Sequence, residues 1–350
     1  MKKIKIVISL VIVILIISFV VCHKTGQQRI VQGSIKIGAI LPLTGDLGEY
    51  GTDELRAINL FLRKYDLNKK IELLVEDSQT DSKTAVSALN KILLSNPKLI
   101  LTLGSSISLA IQPIVNLQKI STITVAGNPE TAKGYMIQNL TTSYDYVNLI
   151  NQELKNKNVK RLGVIYRKDD IGVSVVNEIN FIGEKDEEAV NPGESDFRTV
   201  ITKIKSFEPD AIFVMETGKP LGILIKQIRT LIGDVDIYST LEINYPEVKE
   251  IAGEKYYNIF YTDLNIDDNL LQIKEFKKMY SEEYKTIPSL DSILAYNEMF
   301  LVKKCILSES DLSLKDCLER TSFEGLTGKL KVENNRINYS DSVVLKKIMK

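Results

Sequence analysis

The sequence has little of the side chains on which most catalytic and metal sites depend. Its 350 residues include one histidine, His23, and three cysteines. These counts exclude Ser–His and Cys–His catalytic pairs and most zinc sites from the body of the chain, so we expect no metal and no cofactor. An excess of charge of one sign is also missing, since 45 basic residues balance 45 acidic residues. Without a basic excess to neutralise a phosphate backbone, nucleic-acid binding is not expected.

The length and the composition are those of a folded protein. Hydrophobic residues make up 44% of the chain and charged residues 26%, which is an ordinary globular balance and argues against disorder. At about 150 residues per domain, the length favours two domains.

The N-terminus has the pattern of an export signal. Lys2, Lys3 and Lys5 precede an uncharged and mostly apolar run from Ile6 to Cys22, which is the layout of a signal peptide. The run also reaches the lower length limit of a membrane span, so an uncleaved anchor is the alternative. In both cases we expect the rest of the chain outside the cytoplasm, at the cell envelope.

Cys22, which ends this run, resembles the acylated cysteine of bacterial lipoproteins. The residue before it, Val21, is bulkier than the lipoprotein pattern favours, and an incidental cysteine in a cleaved leader is the alternative. Acylation would hold the protein at the periplasmic or extracytoplasmic face of a membrane through the lipid alone. We assign residues 1–22 to the leader and residues 23–34 to a linker.

The other two cysteines, Cys305 and Cys317, fall on two successive predicted helices. In an oxidising envelope they could form a disulfide. Two buried free thiols are the alternative.

From Ile35 onward, strand patterns alternate with helix patterns. Short apolar runs such as Leu99–Leu103 and Ala211–Met215 predict buried strands, and apolar side chains at helical spacing fill the segments between such runs. Repeated strand–helix units imply doubly wound parallel sheets with helices on both faces, and therefore the α/β class. The alternation restarts after Asp145, which favours two lobes over one continuous sheet.

Each lobe is expected to contain separate stretches of the chain. We assign residues 35–145 and about 264–325 to the N-terminal lobe, and residues 146–263 and about 326–350 to the C-terminal lobe. The helices predicted after Asp263 come with too few strands for a third domain, so they should return to the first lobe. Ligands of such sheets bind beyond the carboxyl ends of the strands, and two lobes can bring these ends to one cleft.

Short segments along the chain resemble one known family. They are Ile37–Gly45, Val75–Asp81, Gly104–Ser106, Asn128–Glu130, Pro192–Phe197 and Phe323–Gly328. In this order they are similar to segments of the type I periplasmic solute-binding proteins, and specifically of the Leu/Ile/Val-binding branch of ABC-transporter receptors. The resemblance implies two lobes that are joined by a multi-strand hinge and close on a small solute.

The resemblance also implies which residues meet the solute. Ser105, Ser106 and the loop that contains Gly127 and Asn128 would meet the carboxylate or the amine of an amino acid. Glu242 resembles the acid that pairs with an α-ammonium group. The remaining implied positions are Tyr50 at the side-chain end, Asp145 at the first crossing between lobes, Asp170 and Ile171 on a loop of the second lobe, and Glu216 and Thr217 at a strand end.

Several of these residues have alternative roles that involve no solute. Ser105 and Ser106 follow a predicted strand and precede a helix, so they could serve only as helix caps. Glu216 and Glu242 could be solvated loop acids. The family usually has a hydroxyl residue where this chain has Gly127, and many members have an aromatic ring where it has Ile171. The solute is therefore expected to be an α-amino acid, with a peptide-like, amide or other small polar solute as the alternative.

The function implied by the resemblance is that of a non-enzymatic receptor. The protein would capture a small solute by lobe closure and deliver it to an ABC permease. A ligand-sensing domain for a separate signalling partner is the alternative. An enzyme would need an acid pair such as Glu216 and Glu242 for acid–base chemistry.

Overall fold

A computed structural model describes residues 34–308, 312–339 and 342–350. The predictions for the leader, for Cys22 and for all but the last residue of the linker lie outside the described residues. Over the ranges described, no helix combines the length and the apolar character needed to cross a membrane. The same ranges hold no group of three or more His, Cys, Asp or Glu side chains placed to bind a metal ion.

The helices and strands alternate along most of the chain. The first set is β1 (Ile35–Leu41), α1 (Gly48–Lys64), β2 (Ile71–Asp77), α2 (Ser82–Leu93), β3 (Leu99–Leu103), α3 (Ser105–Gln118), β4 (Thr122–Val125) and β5 (Met136–Gln138). The second is α4 (Ser143–Asn156), β6 (Arg161–Arg167), α5 (Asp170–Asn177), β7 (Glu184–Val190), α6 (Arg198–Ser206), β8 (Ala211–Met215), α7 (Gly218–Leu231), β9 (Asp236–Ser239), α8 (Pro246–Ala252) and β10 (Ile259–Leu264). The last is α9 (Leu271–Tyr284), α10 (Leu290–Ile306), α11 (Leu314–Arg320), β11 (Ser322–Gly325), β12 (Gly328–Glu333), β13 (Arg336–Ile337) and β14 (Val343–Ile348).

These strands form two separate sheets. The first has eight strands in the order β11-β12-β13-β5-β4-β3-β1-β2, and the second has six in the order β14-β10-β9-β8-β6-β7. Strands β1 to β5 pair in parallel, as do β6 to β10, whereas β14 runs antiparallel to β10. The predicted α/β fold of two lobes is confirmed.

The central strands form because their side chains are apolar on both faces. Every residue of Leu99–Leu103 and of Ala211–Met215 is buried, as expected where helices cover both faces of a parallel sheet. Some of the helices begin at polar caps. The Asp81 carboxylate accepts a hydrogen bond of 2.8 Å from the Thr84 amide and so fixes the start of α2.

The chain crosses between the lobes more than once. After β10 it returns to the first lobe, where the Tyr280 hydroxyl of α9 donates to Asp53 of α1 at 2.8 Å and the Tyr296 ring of α10 packs edge-on against Phe61 at 4.9 Å. The expected crossing at about residue 326 is wrong. β12 pairs with both β11 and β13, and β13 pairs with β5, so residues up to 337 remain in the first sheet and only β14 joins the second.

Cys305 and Cys317 form a disulfide with a Cα–Cα distance of 5.7 Å. The bond joins the end of α10 to α11. Of the two alternatives left open by the sequence, a disulfide and a pair of free thiols, the structure shows the disulfide.

Candidate functional site

A cavity of about 60 Å³, here called the inner cavity, lies between the two lobes. The first lobe lines it with residues that directly follow β3 and β4, including Gly104, Ser105 and Gly127. The second lobe contributes Thr217 and Glu242, which follow β8 and β9. The carboxyl ends of the strands of both sheets therefore face one cleft, which is where ligands of open α/β sheets bind.

A larger cavity of about 250 Å³, here called the mouth cavity, adjoins the inner one. The residues shared by the two cavities are Leu47, Gly104, Ser105, Ile171 and Thr217. The mouth cavity adds Ser106 and Arg167 to the lining of the cleft.

The first-lobe wall contains the N-terminus of α3. Gly104 caps this helix with φ at 99° and without a side-chain hydrogen bond, a backbone conformation that a side chain would strain. The Ser105 hydroxyl accepts a hydrogen bond of 3.2 Å from the Asn128 amide, so its own proton remains to be donated. The helix cap expected as the alternative role of Ser105 and Ser106 is not formed by either side chain. The exposed amides and the helix dipole suit this wall to a carboxylate.

The opposite wall presents a carboxyl group. Glu242 lies in a short 3₁₀ turn, Leu241–Asn244, directly after β9. Its Oε2 is buried and has no hydrogen-bond partner within the described residues. Burial raises the pKa of Glu242 to about 7, against the opposing effects of a hydrogen bond from Tyr50 and of the positive charge on Arg167. A protonated amine placed here would restore the ionised form.

Behind this wall, Arg167 is bonded to other acids. Its guanidinium is 3% exposed and donates to Asp169 at 2.7 Å, to Glu216 at 3.2 Å and to the Thr217 hydroxyl. Glu216 is fully buried, and burial raises its pKa to about 7 although Arg167 opposes the shift. Neither Glu216 nor Arg167 lines the inner cavity, although Arg167 lines the mouth cavity.

Hydrogen bonds between protein groups cross the cleft. The Gly218 amide of the second lobe donates to the Tyr50 hydroxyl of the first lobe at 3.0 Å. The Asn128 side-chain amide donates to the Asp170 carbonyl at 3.1 Å. The structure therefore shows the lobes in contact.

The two positions at which the pocket departs from the family pattern touch each other. A Cβ atom on Gly127 would lie 2.8 Å from Cδ1 of Ile171, closer than such atoms approach. Ile171 thus fills the space that a side chain at position 127 would occupy. A side chain at position 127 would therefore require a smaller or displaced side chain at position 171.

The structure places most of the expected site residues at the cleft. Six line the inner cavity: Tyr50, Ser105, Gly127, Ile171, Thr217 and Glu242. Ser106 lines the mouth cavity, and Asn128 lies against Ser105 and Asp170.

Asp145 is placed elsewhere. Its carboxylate accepts from the Thr142 amide at 3.0 Å and from the Thr142 hydroxyl at 2.8 Å, which makes a capping box at the start of α4. Asp145 therefore begins a helix at the crossing between lobes and does not line the inner cavity.

Sequence reasoning missed several residues of the inner cavity, and two of these have polar side-chain atoms, Tyr245 and Asp291. The Tyr245 ring stacks on Tyr50 with 4.0 Å between centroids, and its hydroxyl donates to the Asp291 carboxylate. The sequence carries no signal for Asp291, because an acid in the first turn of a helix is common and usually solvated.

Comparisons with known proteins agree with the α/β fold of two lobes. Residues 34–340 match the family described as periplasmic binding protein. The chain belongs to that family. The predicted membership is therefore confirmed. Members of the family are solute-binding receptors that work with ABC transporters outside the cytoplasm.

The proteins to which this chain is similar differ in the solutes that their names record. The leucine-, isoleucine-, valine-, threonine- and alanine-binding protein of Pseudomonas aeruginosa is 21% identical over 85% of both chains. A leucine-binding protein of Thermotoga maritima has a similar structure, with a TM-score of 0.81 and 23% identity over 90% of this chain and 96% of that one. A solute-binding protein of Rhodopseudomonas palustris in complex with 3,4-dihydroxybenzoic acid has a TM-score of 0.80 and 19% identity, and covers 91% and 93% of the two chains.

Proposed function

We propose that this chain captures a small α-amino acid between its lobes and delivers it to an ABC permease. The observation that carries the proposal is the pairing of opposite walls in the inner cavity. The first-lobe wall offers the start of α3 and the Ser105 hydroxyl, and the second-lobe wall offers the buried Oε2 of Glu242. A carboxylate and an ammonium group on one carbon match these two walls.

Binding energy for such a solute would depend on lobe closure. Ser105 lies on the first lobe and Glu242 on the second, so only the closed state supplies both contacts. A ligand shifts the equilibrium between open and closed forms by its difference in affinity for the two. The name of the Pseudomonas aeruginosa relative supports an amino acid as the solute. A similar structure from Rhodopseudomonas palustris holds 3,4-dihydroxybenzoic acid, which makes this aromatic acid a useful comparison ligand.

Calorimetry of residues 34–350 against the common amino acids tests the proposal. At least one amino acid should bind, and small-angle scattering should show that it makes the protein more compact. Replacing Glu242 by Gln should weaken that binding at least about thirtyfold, because an amine would lose its charged partner in a buried site. The exposed Glu254 of the same lobe gives a matched control, Glu254→Gln, which should bind like the wild type. Binding of no amino acid would contradict the proposal.

We further propose that Cys22 carries a lipid that holds the receptor at the membrane. The apolar run before it and the polar stretch after it support this assignment. Mass spectrometry of the protein purified from membranes should show a mass increase of acyl size on Cys22. An unmodified chain that starts elsewhere would refute it.

A further inference from the structure

The inner cavity holds a second carboxyl group, Asp291, which the proposed recognition of an α-amino acid does not use. Asp291 is 5% exposed and belongs to the first turn of α10, after the Ser289 cap. It enters the cavity from the first lobe, whereas Glu242 enters from the second. Two acids from different lobes therefore face one small space.

The groups around Asp291 donate one hydrogen bond and supply no positive charge. The Tyr245 hydroxyl donates to its Oδ2, and Tyr50 stacks on Tyr245. Within the described ranges, no lysine or arginine forms an ion pair with Asp291 or with Glu242. The nearest cation named in the cleft, Arg167, is bonded to Asp169, Glu216 and Thr217.

An apolar ligand side chain would leave Asp291 in an unfavourable environment. Tyr50, Tyr245 and Asp291 form one contacting group in the lining of the inner cavity, and the carboxylate at Ser105 and the ammonium group at Glu242 leave Asp291 unused, so a solute side chain beside this group would meet its carboxyl. Closing an aliphatic group over a buried carboxyl removes water from it and returns no hydrogen bond. A second amine would supply both the hydrogen bond and the opposite charge.

We propose that Asp291 makes this receptor select a short diamino acid, whose side-chain amine pairs with Asp291 while its α-ammonium group pairs with Glu242. The inference rests on the proposed function and deepens it by naming the solute class. The size of the inner cavity, about 60 Å³ in the closed form, favours a short side chain over a long one.

Three amino acids of nearly equal shape test whether the receptor prefers an amine in the solute side chain. L-2,4-diaminobutyrate, L-homoserine and L-norvaline carry an amine, a hydroxyl and a methyl group at the same side-chain position. Calorimetry of residues 34–350 should show the diamino acid binding at least about tenfold more tightly than norvaline, with homoserine between them. Norvaline binding as tightly as diaminobutyrate would overturn the inference and leave the proposed function intact. Binding of none of the three, nor of any common amino acid, would overturn both.

Variants then assign the preference to Asp291. Asp291→Asn should reduce the ratio of the diaminobutyrate and norvaline affinities to less than about threefold, because the charge is lost while the shape is kept. Asp268, exposed in the same lobe segment and paired with Lys277 at 2.6 Å, gives the control Asp268→Asn, which should keep the wild-type ratio. An unchanged ratio in Asp291→Asn would overturn the assignment. If Asp291→Asn does not fold, the order of the three affinities in the wild-type protein still decides the inference.

Discussion

Replacing Arg167 by Met should destabilise the second lobe strongly, and more at high pH than at low pH. The guanidinium is the charged partner of Glu216, a fully buried acid whose Oε1 has no hydrogen-bond partner within the described residues. Removing one partner of a buried ion pair costs about 3–5 kcal/mol. Asp169 is less affected, because its Oδ1 still accepts from the Gly172 amide at 3.0 Å.

The pH dependence of this loss follows from the pKa of Glu216, which burial raises to about 7. At about pH 8 the wild-type Glu216 is ionised and needs Arg167, so the full loss is expected. At about pH 5 Glu216 is protonated in the folded protein, and the loss should fall to about 1–2 kcal/mol.

Urea unfolding followed by circular dichroism measures both effects, since the chain has no tryptophan to report by fluorescence. The double variant Arg167→Met, Glu216→Gln should regain at least about 1.5 kcal/mol over the single variant at pH 8, because no buried charge is left unpaired. Arg198, an exposed partner of Asp196, gives the control Arg198→Met, with a change within about 0.5 kcal/mol. Equal losses at the two pH values, or no recovery in the double variant, would refute the reasoning.

Three further outcomes are expected. Reducing the disulfide, or replacing Cys305 and Cys317 by Ser, should lower the free energy of unfolding by about 3 kcal/mol, since the bond closes a loop with a sequence separation of 12; equal urea midpoints with and without reductant would contradict this. Without ligand, stability should decrease as pH rises from about 5 to about 7, because the folded protein keeps protons on Glu242 (pKa about 7) and Asp291 (pKa about 8) that the unfolded chain has released; a rise over that range in urea titrations would show that these pKa values are not raised. Asp145→Ala should cost about 1 kcal/mol in unfolding free energy as a lost cap, yet leave the solute affinity measured by calorimetry within about twofold.

The parts of the fold that could be predicted are those in which burial alone determines the pattern. Leu99–Leu103 and Ala211–Met215 were predicted to the residue, because a strand covered on both faces is apolar throughout. The edge strand β7 has five charged residues among its seven, so no apolar pattern marks where it begins. β5 and β13 were missed because three and two residues carry no periodicity.

The candidate site divides in the same way. Residues that directly follow a strand, such as Ser105 and Glu242, could be assigned to the cleft because parallel strands bring their carboxyl ends together. Asp291 and Tyr245 could not, since they reach the cavity from the starts of α10 and α8, whose positions depend on how the chain crosses between lobes. Asp145 was assigned to the site because it lies at a crossing between lobes. It forms a capping box with Thr142 instead, and that role depends only on contacts between neighbouring residues.

The hydrogen bonds that cross the cleft affect how readily the lobes close, which is a property separate from the choice of solute. Two hydrogen bonds, Gly218 to Tyr50 and Asn128 to Asp170, join the lobes through atoms of the protein itself. They therefore favour the closed form whichever solute is bound. Weakening the bond between Asn128 and Asp170, neither of which lines the inner cavity, would lower the affinity for every solute by one common factor. If Asp291 selects the solute as proposed, changes at Asp291 would instead alter the order of the affinities among solutes, so overall affinity and selectivity could change separately.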